Sequence, residues 1–214
     1  MQTTLTHSGT DPFWDRIAPK YAKKPISDLA SYEEKIATVR GLLSPFDRVL
    51  EIGCGTGGTA LRLAAGVEEV VATDISQAML DIAERKLGTP QSNKITFRQA
   101  GASERIDTQP FDAVCAFSLL HLVSDMQQVL DAVYRQLKPG GLFISKTVCL
   151  NDGSFAIRLL VRLLTQLGLA PHVASLSREQ LLRQLQSAGF EIETVTHFGS
   201  QRNNPFIVAR RPLG

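Results

Sequence analysis

Short apolar runs alternate with helix-period segments along most of this chain, and that alternation points to a parallel sheet covered by helices on both faces. Arg48 to Ile52 is the first run and ends in glycines, and Val70 to Thr73 is the second and ends at Asp74. Ile95 to Arg98, Phe111 to Phe117 and Leu142 to Ser145 follow. Ser76 precedes a segment with Met79, Ile82, Ala83 and Leu87 on one face, which reads as a helix. Ser124 precedes a stripe of Met126, Val129, Leu130, Val133 and Leu137, and Pro139-Gly140-Gly141 is expected to terminate it. Ser177 and Gln180 have capping-box spacing ahead of Leu181, Leu182 and Leu185, with Gly189 where a C-terminal cap belongs. Phe190 to Phe198 alternates with period two, and Phe206 to Ala209 follows a turn-rich Gly199 to Pro205. No helix separates these last two runs, so they can pair as an antiparallel hairpin. Pro205 is tolerated at a first strand position.

With 214 residues, 43% of them hydrophobic, the chain is long enough for one substantial core and is read as a single domain over 1–214. Its expected parts are an N-terminal helical cap (1–44), a ligand-binding core (45–150), a lid insert (151–176) and a last helix with the hairpin (177–214). A formal charge of +2 and the absence of any long basic block argue against a nucleic-acid track, and Lys20, Lys23 and Lys24 read as a solvated face. The first ten residues have no apolar targeting segment, and Arg158 and Arg162 interrupt the apolar stretch Phe155 to Leu169. Stable membrane insertion is therefore not expected, although peripheral contact stays open. Cys54, Cys115 and Cys149 are scattered in apolar segments and read as buried thiols of a cytoplasmic protein, with neither metal nor disulfides.

Glu51-Ile52-Gly53-Cys54-Gly55-Thr56-Gly57-Gly58 stands between the first strand and a helix carrying Leu61, Leu63 and Ala64. Glycine lets the chain turn sharply there and lets a ligand approach the backbone. About twenty residues on, Asp74 ends the second strand, where an acid can accept hydrogen bonds from both ribose hydroxyls of an adenosine. Ile75 and Met79 follow where an apolar wall for adenine belongs. Gly53, Gly55 and Gly58 also fit a nicotinamide fingerprint, so an NAD(P)-dependent oxidoreductase is an alternative. The single-domain length, the terminal hairpin and Glu51, which suits a ligand bearing an ammonium group, weigh against it.

Glu51 to Gly57 resembles motif I of the class I S-adenosylmethionine-dependent methyltransferases, and Thr73-Asp74-Ile75-Ser76 resembles the next motif. Phe111 to Val114, Leu120-His121 and Leu137 to Gly141 resemble the later ones, in the family's order. The resemblance implies an α/β, Rossmann-like three-layer sandwich with a seven-stranded sheet of order 3-2-1-4-5-7-6 and strand 7 antiparallel. It also implies S-adenosyl-L-methionine as cofactor and a small-molecule acceptor, with an apolar acceptor considered. A non-catalytic S-adenosylmethionine-binding protein is the remaining alternative. Many relatives place an acid after the third strand to bind the adenine amino group. Here the segment reads Gln99 to Glu104 with no acid at the usual place, so backbone around Gly101 and Ala102 is expected to serve, with Glu104 facing solvent.

In related enzymes an N-terminal aromatic segment folds over the donor. Phe13, Trp14 and Tyr21 form such a segment ahead of the first full helix, with Tyr21 in an Ala-x-x-Tyr context. An aromatic face near a sulfonium is favoured by cation–π attraction. These readings together place the donor against Tyr21, Glu51, Gly53, Gly55, Gly57, Asp74, Ile75, Met79, Ala102 and Phe117. Methyl transfer from a sulfonium is an in-line displacement served mainly by alignment, so no catalytic residue need be visible. His121, after the fourth strand, is the best-placed base and is expected to line the acceptor pocket; His7, His172 and His197 have no comparable position. The insert helix sets Arg158, Arg162, Thr165 and Gln166 on one face of an otherwise apolar stretch and is expected to pack as a lid.

Overall fold

The structure is a computed structural model and describes residues 12–88, 92–167, 169–171, 173–200 and 202–214. His7 and His172 lie outside these. Seven strands form one sheet: β1 (Arg48–Ile52), β2 (Glu69–Asp74), β3 (Ile95–Gln99), β4 (Phe111–Phe117), β5 (Leu137–Lys146), β6 (Glu191–Thr196) and β7 (Phe206–Arg210). Their order is β3-β2-β1-β4-β5-β7-β6. β1 to β5 run parallel, and β7 pairs antiparallel with both β5 and β6. The helices are α1 (Pro12–Lys23), α2 (Leu29–Leu42), α3 (Gly58–Leu63), α4 (Gln77–Glu84), α5 (Met126–Gln136), α6 (Phe155–Gln166) and α7 (Arg178–Ser187).

Successive residues of β1 divide the core, as the period of two along a strand demands. Leu50 and Ile52 join Val129, Val133, Leu181 and Leu185 from α5 and α7. Val49 joins Val39, Ala60 and Leu80 from α2, α3 and α4. Both faces of the sheet are therefore covered, and the central strands contain no exposed residue.

The local signals act largely as expected. Ser76 caps α4 by accepting from the Met79 N–H at 3.2 Å, and Ser177 and Gln180 form the reciprocal capping box. Asp125, one residue after Ser124, caps α5. Two expectations change. Pro139-Gly140-Gly141 does not end a helix; α5 stops at Gln136 and Leu137 already pairs with Phe111, so the prolyl-glycyl segment is a register shift inside β5. Phe13, Trp14 and Tyr21 do not precede the first helix but lie within α1, which Pro12 opens and which contains Pro19. Pro12 falls at a first helical position, where a missing N–H costs nothing.

α1 is held by its acid. The Asp15 carboxylate accepts from the Ser76 hydroxyl at 2.6 Å and from the Ala78 N–H at 3.2 Å, both at the N-terminus of α4, whose dipole favours an anion. α6 contains no buried residue, and Phe155, Leu159, Leu160 and Leu163 are exposed. No helix among the described residues is long and apolar enough to cross a membrane.

Candidate functional site

The strand order reverses between β1 and β4, and open α/β sheets hold ligands at the carboxyl ends of the strands beside such a reversal. A cavity of about 920 Å³ opens at that edge, within the range of small-molecule sites. The loop after β1 contributes Gly53 and Gly55, the end of β2 Asp74 and Ile75, and α4 Met79. The segment after β3 contributes Ala100 to Glu104, and the end of β4 contributes Phe117, Ser118 and Leu119. Leu122, Val123 and Val129 extend that last wall, together with Ser124, Asp125 and Gln128. α1 closes one side with Trp14 and Tyr21, seven residues apart and so on one helix face.

Asp74 is the electrostatic centre of this space. One carboxylate oxygen accepts from the Gly55 N–H at 2.8 Å and the other from the Ser76 N–H at 2.9 Å. Burial pushes its carboxyl up from the ordinary value, the backbone donors oppose that shift, and Asp15 adds to it. A carboxylate offers about four acceptor positions, so Asp74 can still take a pair of hydroxyl donors. The Tyr21 hydroxyl is likewise raised, first by burial and then by the charge on Asp74.

A methyltransferase domain model matches residues 49–141. The demethylmenaquinone methyltransferase of Clavibacter sepedonicus is 31% identical over 142 residues, which make up 66% of this chain and 49% of that protein. The chain thus spans about half the length of that relative. The ubiquinone biosynthesis O-methyltransferase of Xylella fastidiosa (strain M23) is 28% identical over 215 residues, covering 96% of this chain and 85% of the relative. The matched domain over residues 49–141, the motif order and these relatives together support a class I S-adenosylmethionine-dependent methyltransferase. A structure of the complex between the Haloferax volcanii Trm112 methyltransferase activator and a methyltransferase has the same fold, with a TM-score of 0.75 at 17% identity over 93% of this chain and 97% of that one. The methyltransferase sheet order, with its antiparallel β7, also departs from the 3-2-1-4-5-6 order of dinucleotide-binding dehydrogenases. The oxidoreductase alternative is set aside.

S-adenosylmethionine fits the residues present. The cavity is large enough, Asp74 keeps acceptor capacity for a ribose, and the Gly55 N–H bonded to Asp74 draws the glycine loop against that acid. Of the ten residues read from the sequence, Tyr21, Gly53, Gly55, Asp74, Ile75, Met79, Ala102 and Phe117 line the methyltransferase cavity. Glu51 and Gly57 do not. Glu51 points to the α2–α3 side of β1, is 3% exposed, and is influenced most strongly among charges by Lys35. Gly57 lies beneath the loop, packed on Ala83 and Phe97.

The segment after β3 also differs from the expectation. Glu104 is exposed, yet it folds back to accept from the Gly101 N–H at 2.8 Å and stands on the cavity wall. An acid thus stands on the cavity wall although it is displaced in the sequence. Ser118 was not anticipated at all. It lines the wall with φ of 56°, and its N–H donates to the Lys146 carbonyl at 2.7 Å. A non-glycine residue held there costs on the order of 1–3 kcal/mol, and such strain concentrates at functional sites. Nothing local in Phe117-Ser118-Leu119 signals it, because the bond that enforces it comes from β5. None of the α6 side chains reaches the cavity wall.

His121 lies behind the wall rather than on it: Leu119 and Leu122 line the cavity, while His121 is 7% exposed and its Nδ1 has no partner among the described residues. Its carbonyl accepts from the Ala174 N–H at 2.8 Å, which ties the loop after β4 to the insert. Burial pushes its imidazole down to about 4, so the folded protein holds it neutral. The unfolded chain therefore binds a proton first as pH falls below about 6.5. Stability should drop by up to about 3 kcal/mol between there and pH 4 from this one group. His121→Asn should lose less stability over that interval in urea titrations; an identical acid loss in both proteins would remove this assignment.

Proposed function

We propose that the chain transfers a methyl group from S-adenosylmethionine to a small apolar acceptor of the quinol or phenol class. The observation that carries this reading is the apolar run Phe117, Leu119, Leu122, Val123 and Val129 on the wall after β4, which offers a face for an apolar ring beside the polar Ser118, Ser124, Asp125 and Gln128. The names of the relatives, demethylmenaquinone methyltransferase and ubiquinone biosynthesis O-methyltransferase, agree with that chemistry. α6 is consistent with it as well: it has no acidic residue and leaves an apolar side exposed, a surface suited to the lipid phase in which such acceptors dissolve.

When bound, the donor supplies an electrophilic methyl carbon on a sulfonium. The chain's own part is alignment. Asp74 and the glycine loop hold one end of the cavity, and the apolar wall after β4 confines the acceptor and excludes water. Positioning of this kind can contribute about 7–11 kcal/mol in favourable cases. The acceptor's O–H proton leaves to solvent or to a neighbouring base, and His121, neutral and just behind the wall, acts by holding the loop 118–123 in place.

Incubation with methyl-labelled donor and a panel of catechols, short-chain demethylnaphthoquinols and polar amines tests the reading. Label is expected in the quinol and catechol products. Turnover with the amines alone would replace the acceptor class, and donor binding without turnover on any acceptor would favour the non-catalytic alternative.

A further inference from the structure

α2 buries three residues against the sheet, Lys35, Ile36 and Val39, and the first of these carries a charge. The Lys35 ammonium stands 4.1 Å from the centre of the Phe117 ring and 4.7 Å from that of Tyr32, and donates to the Thr59 hydroxyl at 3.4 Å. Phe117 is part of the cavity wall, and Thr59 lies in the first turn of the helix that follows the glycine loop. Glu51, immediately before that loop, is buried with one oxygen, Oε2, lacking a hydrogen-bond partner among the described residues. Its carboxylate also accepts from the Ala60 N–H. Neither Lys35 nor Glu51 touches the cavity, but each braces a part that does.

We infer that Lys35 is a positioning residue for the donor: its cation, lodged between the Phe117 face and the region of Glu51 and Thr59, holds the end of β4 and the glycine loop in register around the cavity. The inference rests on the donor site described above. The groups facing Lys35 come from every neighbouring element: Glu51 on β1, Cys115 on β4, Lys146 on β5, Arg62 on α3 and Tyr32 on its own helix. Cys115 is a neutral thiol, since burial raises it far above the ordinary range, and Lys146 and Arg62 repel. Glu51 is thus the one anion in the set. Burial pushes Lys35 down and Glu51 up, and their mutual attraction opposes both shifts. Raising the pH removes the Lys35 proton below the ordinary lysine value and leaves Glu51 without its counter-charge next to the loop.

Calorimetric titration of the full chain with S-adenosylhomocysteine between about pH 6.5 and 9.5 tests this. The unmodified protein should bind throughout the neutral range and weaken on the alkaline side. Lys35→Met should bind at least about tenfold more weakly near neutrality, with no alkaline fall. Lys35→Arg keeps the charge, so it should retain affinity within about threefold and also lack the alkaline fall. Circular dichroism monitors folding. If Lys35→Met does not fold, the double variant Lys35→Met/Glu51→Gln, which removes both charges, takes its place with the same expected weak, flat profile. Unmodified affinity together with an unmodified pH profile in either variant overturns the inference alone. Failure of the unmodified protein to bind at any pH overturns the donor reading and this inference with it.

Discussion

Asp74→Ala is expected to weaken S-adenosylhomocysteine binding by about 100-fold or more, the equivalent of about 3 kcal/mol. Two losses combine. The first is direct: the free acceptor positions of the carboxylate are gone, and hydrogen bonds to a charged group contribute about 1.5–3 kcal/mol each. The second is structural, because Asp74 also receives the Gly55 and Ser76 N–H groups at 2.8 and 2.9 Å. Without it the glycine loop loses its tie to the end of β2, and two backbone donors in a largely dry site lose their acceptor. Asp74→Asn separates the two effects. It preserves one acceptor oxygen and the side-chain shape but turns an amide NH2 toward the other backbone donor, so it should lose less stability than Asp74→Ala while still binding weakly. Calorimetry on both variants is the check. Parent-like affinity in Asp74→Ala would exclude this edge of the sheet as the donor site.

The prominence of Asp74 could be read from sequence because its surroundings are local: a strand, an acid at its end and a capped helix directly after it. β1 and β4 were legible to the residue for the same reason, since apolar runs bounded by glycine and turn residues leave little freedom. What escaped was decided by distant partners. α1 contains Pro19 and has a modest apolar character, and its helix docks through Asp15 to Ser76 and Ala78, more than sixty positions away. Pro139-Gly140-Gly141 has the composition of a helix stop but lies in a strand, because Leu137 is claimed by Phe111. Glu51 invited a ligand-facing assignment through its place before the loop. Its side chain belongs instead with Val49 on the α2–α3 face, opposite Leu50 and Ile52, and Lys35, the cation that acts on it, sits in a helix whose register no local motif reveals. Glu104 shows the converse, an acid three positions beyond Gly101 brought back to it by a turn.

The glycines of the loop carry different tasks, and Gly57→Ala is expected to expose this as a loss of stability rather than of donor affinity. Gly57 has φ of 73°, in the left-handed region, and serves as the N-terminal boundary of α3. A Cβ there would lie 2.8 Å from the Ala83 Cβ and 2.9 Å from the Phe97 Cζ. Neither neighbour can yield easily: Ala83 is wholly buried on α4, and the Lys86 ammonium just beyond it donates to the Thr56 carbonyl at 2.7 Å, holding loop and helix together. The left-handed conformation costs an alanine about 1–2 kcal/mol and the overpacking about 1–3 kcal/mol more. A total of about 2–5 kcal/mol is a large part of the roughly 5–15 kcal/mol by which a domain is stable. Gly41→Ala is the internal control. It lies in the last turn of α2 with no atom within 4 Å of the added carbon, so it should be neutral or stabilise by up to about 1 kcal/mol. Urea unfolding of both variants should show a lowered midpoint at unchanged slope for Gly57→Ala alone. Because Gly57 does not line the cavity, the folded fraction of that variant should bind S-adenosylhomocysteine within about threefold of the parent. Parent-like stability with lost binding would return Gly57 to the donor wall.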